Sequence, residues 1–313
     1  MKLGRRHLLA ATTVLALPAI RTRAATGKTL RMGFQKGEPT QIAAKQNRDL
    51  ENLLTPLGWD VQWIEFQFGS PLLEAMRAGS VDLGAVGDTP PVFAQAAHAD
   101  LLYVSALRSG SQAILLPAGS DIKTLADLKG KKLALGRGSS AFNFAIRALT
   151  KAGLRYGDVE IVYLGPADAG AAFQRGAIDA WVIWDPYYAL FENRPGVRTL
   201  ANNEEIGVQN SFVMGRGAFV RANPALTAKL LEGFATTCAW VRGHRDQVTD
   251  LLASTTGMPP DPVRRMIARL PAELLPMSGE IVRSQQQIAD RFRALGLIPA
   301  DITVADTVWL PNA

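Results

Sequence analysis

Gly79-Ser-Val-Asp-Leu-Gly-Ala-Val-Gly-Asp-Thr-Pro-Pro91 decides how this chain is read, because the sequence states it again as Gly176-Ala-Ile-Asp-Ala-Trp-Val-Ile-Trp-Asp-Pro-Tyr-Tyr188. Gly79 and Gly176, Asp82 and Asp179, and Asp88 and Asp185 share one offset of 97 residues. Each copy reads as a helix end with a glycine stop, a short buried strand, then a new helix start. Thr89-Pro90 and Asp185-Pro186 have the order of an N-cap followed by proline at the first helical position. Each copy therefore aims a strand end and a helix N-terminus at one place. Backbone N–H groups there lack intrahelical partners and the helix dipole is positive. Such ends hold anions. The repeat predicts two similar lobes whose helix starts face each other across a cleft that takes a small anion.

The flanking sequence extends the repeat. Thr29 to Phe34 reads as a strand running into Gly33, a polar turn and a helix from Pro39 through Ile42, Ala43, Leu50, Leu53 and Leu54. Lys132 to Leu135 reads as a strand running into Gly136, a polar turn and a helix from Ala141 to Lys151. The offset of Gly33 and Gly136 is 103, close to that of the longer repeat. Duplicated architecture is the simplest account. Between these units, Trp59 to Phe66 and Leu101 to Leu107 read as strands, and Pro71 to Ala78 and Pro91 to Ala97 as helices. Ala113 to Leu116 opens the second lobe. Ser211 to Met214 reads as a strand that returns to the first. The rest is helical: Asn223-Pro224 starts a long helix, followed by helices over Asp246 to Leu252, Asp261 to Leu270 and Ile281 to Leu295. This tail is expected on the first lobe, with no partner in the second. The fold class that follows is α/β with two lobes, each a mixed sheet flanked by helices. Residues 27–112 and 212–313 form lobe 1, and 113–211 form lobe 2.

The bulk numbers fit a globular chain of 313 residues, 48% hydrophobic and 20% charged. Five basic residues, Lys2, Arg5, Arg6, Arg21 and Arg23, and no acid fall in the first 25 positions, so most of the net charge of +6 belongs to the leader. A nucleic-acid-binding surface is not indicated. Residues 1–25 read as an export signal. A basic start precedes an apolar run from Leu8 to Ile20 that is too short to span a bilayer, and Ala24 and Ala25 suit cleavage. Gly4-Arg-Arg-His-Leu-Leu9 resembles a twin-arginine signal, with an ordinary secretory route as the alternative. The expected location is the periplasm, and the mature chain is expected to be a soluble monomer. A single cysteine, Cys238, allows no internal disulfide and reads as a small buried side chain. His7, His98 and His244 have no metal-binding spacing, so no metal is expected.

Gly136-Arg-Gly-Ser-Ser-Ala141 fits a dinucleotide pattern, but it is short, and an exported protein meets no nicotinamide pool. No cofactor is expected. The same residues suit an anion loop: Gly138 admits close approach, and Ser139 or Ser140 caps the helix and offers a hydroxyl. Gln35 can donate an amide N–H to an oxyanion, while Lys36 reads as a solvated side chain. Asp88 and Asp185 cannot welcome an anion themselves. They read as carboxylates that hold nearby loops in place, with Thr89 better suited to touch a ligand. Trp184 is placed to cover the apolar part of a ligand, and Trp181 reads as core. No nucleophile–base arrangement, H-E-x-x-H or Walker loop is present, so no catalytic group is assigned. Binding without chemistry is the favoured class.

These residues resemble the periplasmic aliphatic sulfonate-binding proteins of ABC importers. The resemblance rests on Gly33-Phe-Gln-Lys-Gly37, on the long blocks Val81 to Ala97 and Asp179 to Tyr188, and on Leu125 to Gly130, Gly138-Ser-Ser140 and Pro166-Ala-Asp168. It implies a two-lobe periplasmic binding protein-like fold of type II that closes on its ligand. It also implies capture of an aliphatic sulfonate and delivery to a membrane permease. Carried onto this chain, the ligand contacts fall at Gln35, Gly37, Gly87, Asp88 and Thr89 in one lobe, and at Gly138, Ser139, Ser140, Trp184 and Asp185 in the other. Glu38-Pro39-Thr40 departs from the family pattern at a helix start that meets the cleft. Taurine, nitrate or a pyrimidine precursor are alternative ligands. A hydrolase or pyrimidine-forming enzyme of the same fold, or a sensor subunit, are alternative functions.

Overall fold

The computed structural model describes residues 28–108 and 110–311, so the leader lies outside the described residues. Among the described residues, eleven strands are distributed over two sheets. In chain order they are β1 (Lys28–Gln35), β2 (Trp59–Phe66), β3 (Leu83–Gly87), β4 (Leu101–Arg108), β5 (Gln112–Leu116), β6 (Lys132–Leu135), β7 (Glu160–Tyr163), β8 (Ala180–Trp184), β9 (Arg198–Asn202), β10 (Asn210–Arg216) and β11 (Leu274–Leu275). The first sheet runs β11-β4-β10-β3-β1-β2 and the second β7-β6-β8-β5-β9. The two orders match. β1 lies between parallel β2 and β3, as β6 lies between parallel β7 and β8. An antiparallel strand then follows in each, β10 against β3 and β4, and β5 against β8 and β9. This is the two-lobe periplasmic binding protein-like fold, built from one architecture used twice.

The repeated sequence explains why. Gly79 (φ +79°) and Gly176 (φ +66°) sit in the left-handed region just past the helices Gly69–Arg77 and Pro166–Gln174. Each ends its helix with the same pair of bonds: Ser80 N to Ala75 O with Gly79 N to Met76 O, and Ala177 N to Ala172 O with Gly176 N to Phe173 O. That is the Schellman arrangement, which glycine enters without a Cβ penalty. Three residues on, Asp82 accepts from the Arg31 amide at 3.0 Å and Asp179 from the Lys132 amide at 2.7 Å. Each aspartate thus ties the strand that follows it to the preceding parallel strand. The strands themselves are near-continuous apolar runs, as in sheets covered on both faces. Leu30, Met32 and Leu83 are fully buried in the first lobe and Leu133, Ala134 and Val182 in the second. Each large side chain of this kind contributes roughly 1.5–3 kcal/mol of transfer free energy.

The chain crosses between lobes after Arg108 and again between Asn202 and Asn210. Gln112 already pairs with Trp184 in the second sheet, while Asn210 and Ser211 pair with Arg108 and Leu107 in the first. These strand ends are polar, which is why the apolar run alone misplaces them by a residue or two. The single helix read over Pro39 to Leu54 is two, Pro39–Gln46 and Asp49–Leu54, broken at Arg48 with φ 58°.

The C-terminal helices Pro224–Gly243 and Arg245–Thr256 pack on the helix Pro39–Gln46 of the first lobe. The tail nevertheless reaches the second lobe, contrary to the sequence reading. The helix Pro260–Ala268 packs on the helix Tyr187–Phe191, and Arg291 Nη1 donates to Asn143 Oδ1 at 2.8 Å. Cys238 is buried, and burial pushes its thiol up to about 12. No helix among the described residues is long and apolar enough to cross a membrane.

Candidate functional site

β1, β3, β6 and β8 all end at the cleft between the lobes. The turns that follow them, Gln35 to Glu38, Gly87 to Asp88, Gly136 to Ser139, and Asp185 to Pro186, face one another there. Ligands in open α/β sheets sit beyond such strand ends. A cavity with about 100 Å³ of interior space lies between these turns. Gln35, Gly37 and Gly87 line it from the first lobe, and Ser139, Ser140, Trp184 and Asp185 from the second.

The glycines set how closely the lobes approach. A Cβ on Gly87 would lie 2.7 Å from Ser140 Cβ, and one on Gly37 would lie 2.3 Å from Pro186 Cδ. Gly138 (φ +66°) does not line the cavity; its carbonyl accepts from Ser70 Oγ at 3.1 Å, across the lobe boundary. Ser139 is buried at the N-cap position of the helix Ser140–Lys151. Its hydroxyl donates to the Gly136 carbonyl at 2.8 Å and makes no cap bond, contrary to the capping role read from sequence. The helix Gly69–Arg77 also begins on the cavity without a side-chain cap. Two helix N-termini from different lobes therefore present first-turn amides that no cap side chain occupies.

Asp88 and Thr89 lie behind the wall. Thr89 is fully buried and is the first residue of the helix Thr89–Ala96, not its cap; Asp88 takes the cap position with helical backbone angles. The Thr89 hydroxyl donates to Asp88 Oδ1 at 2.9 Å, so it is spent on its neighbour. Asp88 Oδ2 accepts from Asn143 Nδ2 and Gln209 Nε2, both at 2.7 Å. Its carbonyl accepts from Gln285 Nε2 at 2.6 Å. Burial pushes the Asp88 carboxyl up to about 6, against the opposing pull of its hydrogen bonds and of Arg147. Gln112, on the cavity wall, donates to Gln209 Oε1 at 2.7 Å and so connects the wall to Asp88.

Asp185 lines the cavity but is not free. Arg269 grips both oxygens, Nε to Oδ2 at 2.8 Å and Nη2 to Oδ1 at 2.6 Å, and the Ala189 amide adds a bond at 3.2 Å. Burial raises its pKa while Arg269 pulls it down. Its helix starts at Tyr187 with Pro186 in the cap position, one residue later than the sequence order suggests. Gln35 Nε2 donates to the Ala85 carbonyl at 2.9 Å while the side chain remains on the wall. Trp184 lies on the wall over the Gly136 turn, whereas Trp181 is core, with ring centroids 5.0 Å from Phe191. The two residues are three positions apart on β8, so strand alternation puts them on opposite faces.

One wall residue carried no sequence signal. Arg108 ends β4 and is the one basic side chain on the wall among the described residues. Glu38, which the sequence reading did set at a helix start meeting the cleft, lies there too, with its Oε2 accepting from the Gln41 amide at 2.6 Å at the start of the helix Pro39–Gln46. Burial raises its pKa. Asn143 was findable: it is a polar residue on the otherwise apolar face of the helix Ser140–Lys151. No group of three or more His, Cys, Asp or Glu side chains suited to a metal occurs among the described residues.

The sequence pattern of the NMT1-like family matches residues 23–255. A protein of Escherichia coli (strain K12) named as an aliphatic sulfonates-binding protein is 40% identical over 288 residues, 91% of this chain and 90% of that one. One so named in Bacillus subtilis (strain 168) is 33% identical over 285 residues, 90% of this chain and 86% of that one. The structure of the alkanesulfonate-binding protein SsuA from Xanthomonas axonopodis pv. citri bound to MOPS is 39% identical and covers 90% of this chain and 98% of that chain, with a TM-score of 0.86. With the strand order and cleft described above, these similarities establish that the chain belongs to the NMT1-like family of two-lobe binding proteins.

Proposed function

We propose that this chain captures aliphatic sulfonates between its lobes in the periplasm and hands them, as a monomer and without transforming them, to the membrane permease of an ABC importer. The observation that carries this reading is the wall itself: Gly87 and Ser140, from different lobes, meet across a cavity rich in uncharged donors. A sulfonate is ionised at all relevant pH and presents three acceptor oxygens and no proton. Backbone amides and hydroxyls bind it without a formal counter-charge. In this reading Ser139, Ser140, Gly87 and Gln35 surround the head group, Arg108 adds positive potential, and Trp184 covers the alkyl chain. Gly37 closes the cleft against Pro186. Asp88, Thr89 and Gly138 hold the turns from behind, and Asp185 shapes the wall as an ion pair. The likeness to proteins named for sulfonate binding, over nine-tenths of the chain, supports the same assignment.

The test is thermal unfolding of protein purified without sulfonate buffers, against a panel of alkanesulfonates, taurine, nitrate and sulfate. Alkanesulfonates should stabilise by about 2.7 kcal/mol at a hundred times Kd. A panel in which only nitrate or sulfate shifts the melting temperature, or in which nothing does, contradicts the proposal.

A further inference from the structure

Asp185 is a carboxylate, 6% exposed, on the wall of a cavity read as an anion site. Its own lobe offers it one bond, the Ala189 amide. The counter-charge comes from the C-terminal segment: Arg269 follows the helix Pro260–Ala268, whose Val263, Met266 and Ile267 pack with Phe34, Ile42 and Ala43 of the first lobe and with Ala189 of the second. Arg269 is itself fixed in place. Its Nη1 donates to Glu192 Oε2 at 2.8 Å, and its guanidinium lies 4.1 Å from the centre of the Tyr188 ring. Glu192 is held in turn by Arg265 Nε at 2.9 Å. The cluster joins two acids of the second lobe to two arginines of the C-terminal segment, and its formal charges balance.

We propose that Arg269 is a positioning residue for anion capture: from the C-terminal segment it cancels the Asp185 charge, so that a sulfonate can sit against a carboxylate-bearing turn. This rests on the sulfonate reading above. The pair ties the second lobe to a C-terminal segment that also packs on the first, so the wall is neutralised where the two lobes meet. Without the guanidinium, a bound anion faces a second negative charge inside a partly desolvated site, where repulsion is weakly screened.

The experiment is calorimetric titration of propane-1-sulfonate and its neutral analogue propane-1-sulfonamide into the wild type, R269M, D185N and the double variant, with circular dichroism of each. R269M should weaken sulfonate binding by about 10- to 100-fold, within the range for uncompensated buried charge, and leave the sulfonamide within about threefold. D185N added to R269M should restore sulfonate affinity to within about threefold of D185N alone. Equal loss for both ligands without recovery in the double variant marks a packing role and overturns the proposal, as does R269M binding sulfonate like the wild type. Should R269M alone fail to fold, the double variant against D185N decides: agreement within about threefold supports the proposal, and a further tenfold loss overturns it. A wild type that binds no alkanesulfonate instead removes the sulfonate reading beneath it.

Discussion

Asn143, in the second lobe, donates to Asp88 of the first at 2.7 Å, and the repeat partner of Asp88, Asp185, is held in the opposite sense by Arg269. The two aspartates that the sequence repeats are thus each gripped by a side chain from a distant segment of the chain. They differ in chemistry: Asp88 has neutral donors around it and Asp185 a guanidinium. Both are acceptors, so in the proposed reading both act on a sulfonate through the turns and charges they control.

Position relative to the wall separates stability from binding. Thr89→Val removes a buried donor to Asp88 and should destabilise the protein by about 1–3 kcal/mol, with sulfonate affinity within about threefold of wild type. Ser140→Ala should do the reverse, weakening sulfonate binding by roughly tenfold while the melting temperature moves by less than about 3 °C. Urea unfolding and calorimetry on both variants check the pair.

The Asp88 carboxyl supplies a pH signature. Its folded pKa is raised from 3.8 to about 6 by burial. A raised carboxyl binds its proton more tightly in the folded state, so its contribution is full below pH 3.8 and is lost as pH rises through about 6. The loss is at most about 3 kcal/mol. Asp88→Asn keeps an acceptor for Asn143 and Gln209 and removes the titration. The stability difference, wild type minus D88N, should therefore fall between pH 4 and pH 7 in urea unfolding; a flat difference contradicts the assignment.

Gly87→Ala tests closure. The added methyl meets Ser140 Cβ at 2.7 Å, but only when the lobes are together. Sulfonate affinity should fall by about tenfold or more, with less than about 1 kcal/mol lost from the unliganded protein, since open lobes accommodate the methyl. Equal affinity in G87A and wild type would show that the lobes do not approach here.

Trp184→Ala should flatten the preference for longer alkyl chains. Burial of each CH₂ against an apolar wall contributes about 0.8 kcal/mol, so the wild type should gain up to about fourfold per carbon. A chain-length series measured by calorimetry should show that gradient in the wild type and its loss in W184A.

Much of this was legible because it is local. Gly79 and Gly176 each stop a helix by a turn that spans six residues, and Asp82 and Asp179 each bond a neighbouring strand. One repeat therefore announced two sheets of one design. The cross-lobe contacts were not legible. Gln209 reaches Asp88 over 121 positions and Arg269 reaches Asp185 over 84; the crossover before β10 places the first and docking of the helical tail the second, and local pattern decides neither. The Thr89 misreading has a smaller cause. Asp88 adopts helical angles, so the helix begins one residue early and turns the hydroxyl inward.

A crystal structure of the protein with hexane-1-sulfonate measures the central claim most directly. The account predicts the sulfonate oxygens within hydrogen-bond distance of the Ser139–Ser140 turn and of Gly87 or Gln35 at once, with the alkyl chain against Trp184. A head group bound to one lobe alone, or outside the cavity between these turns, would contradict it.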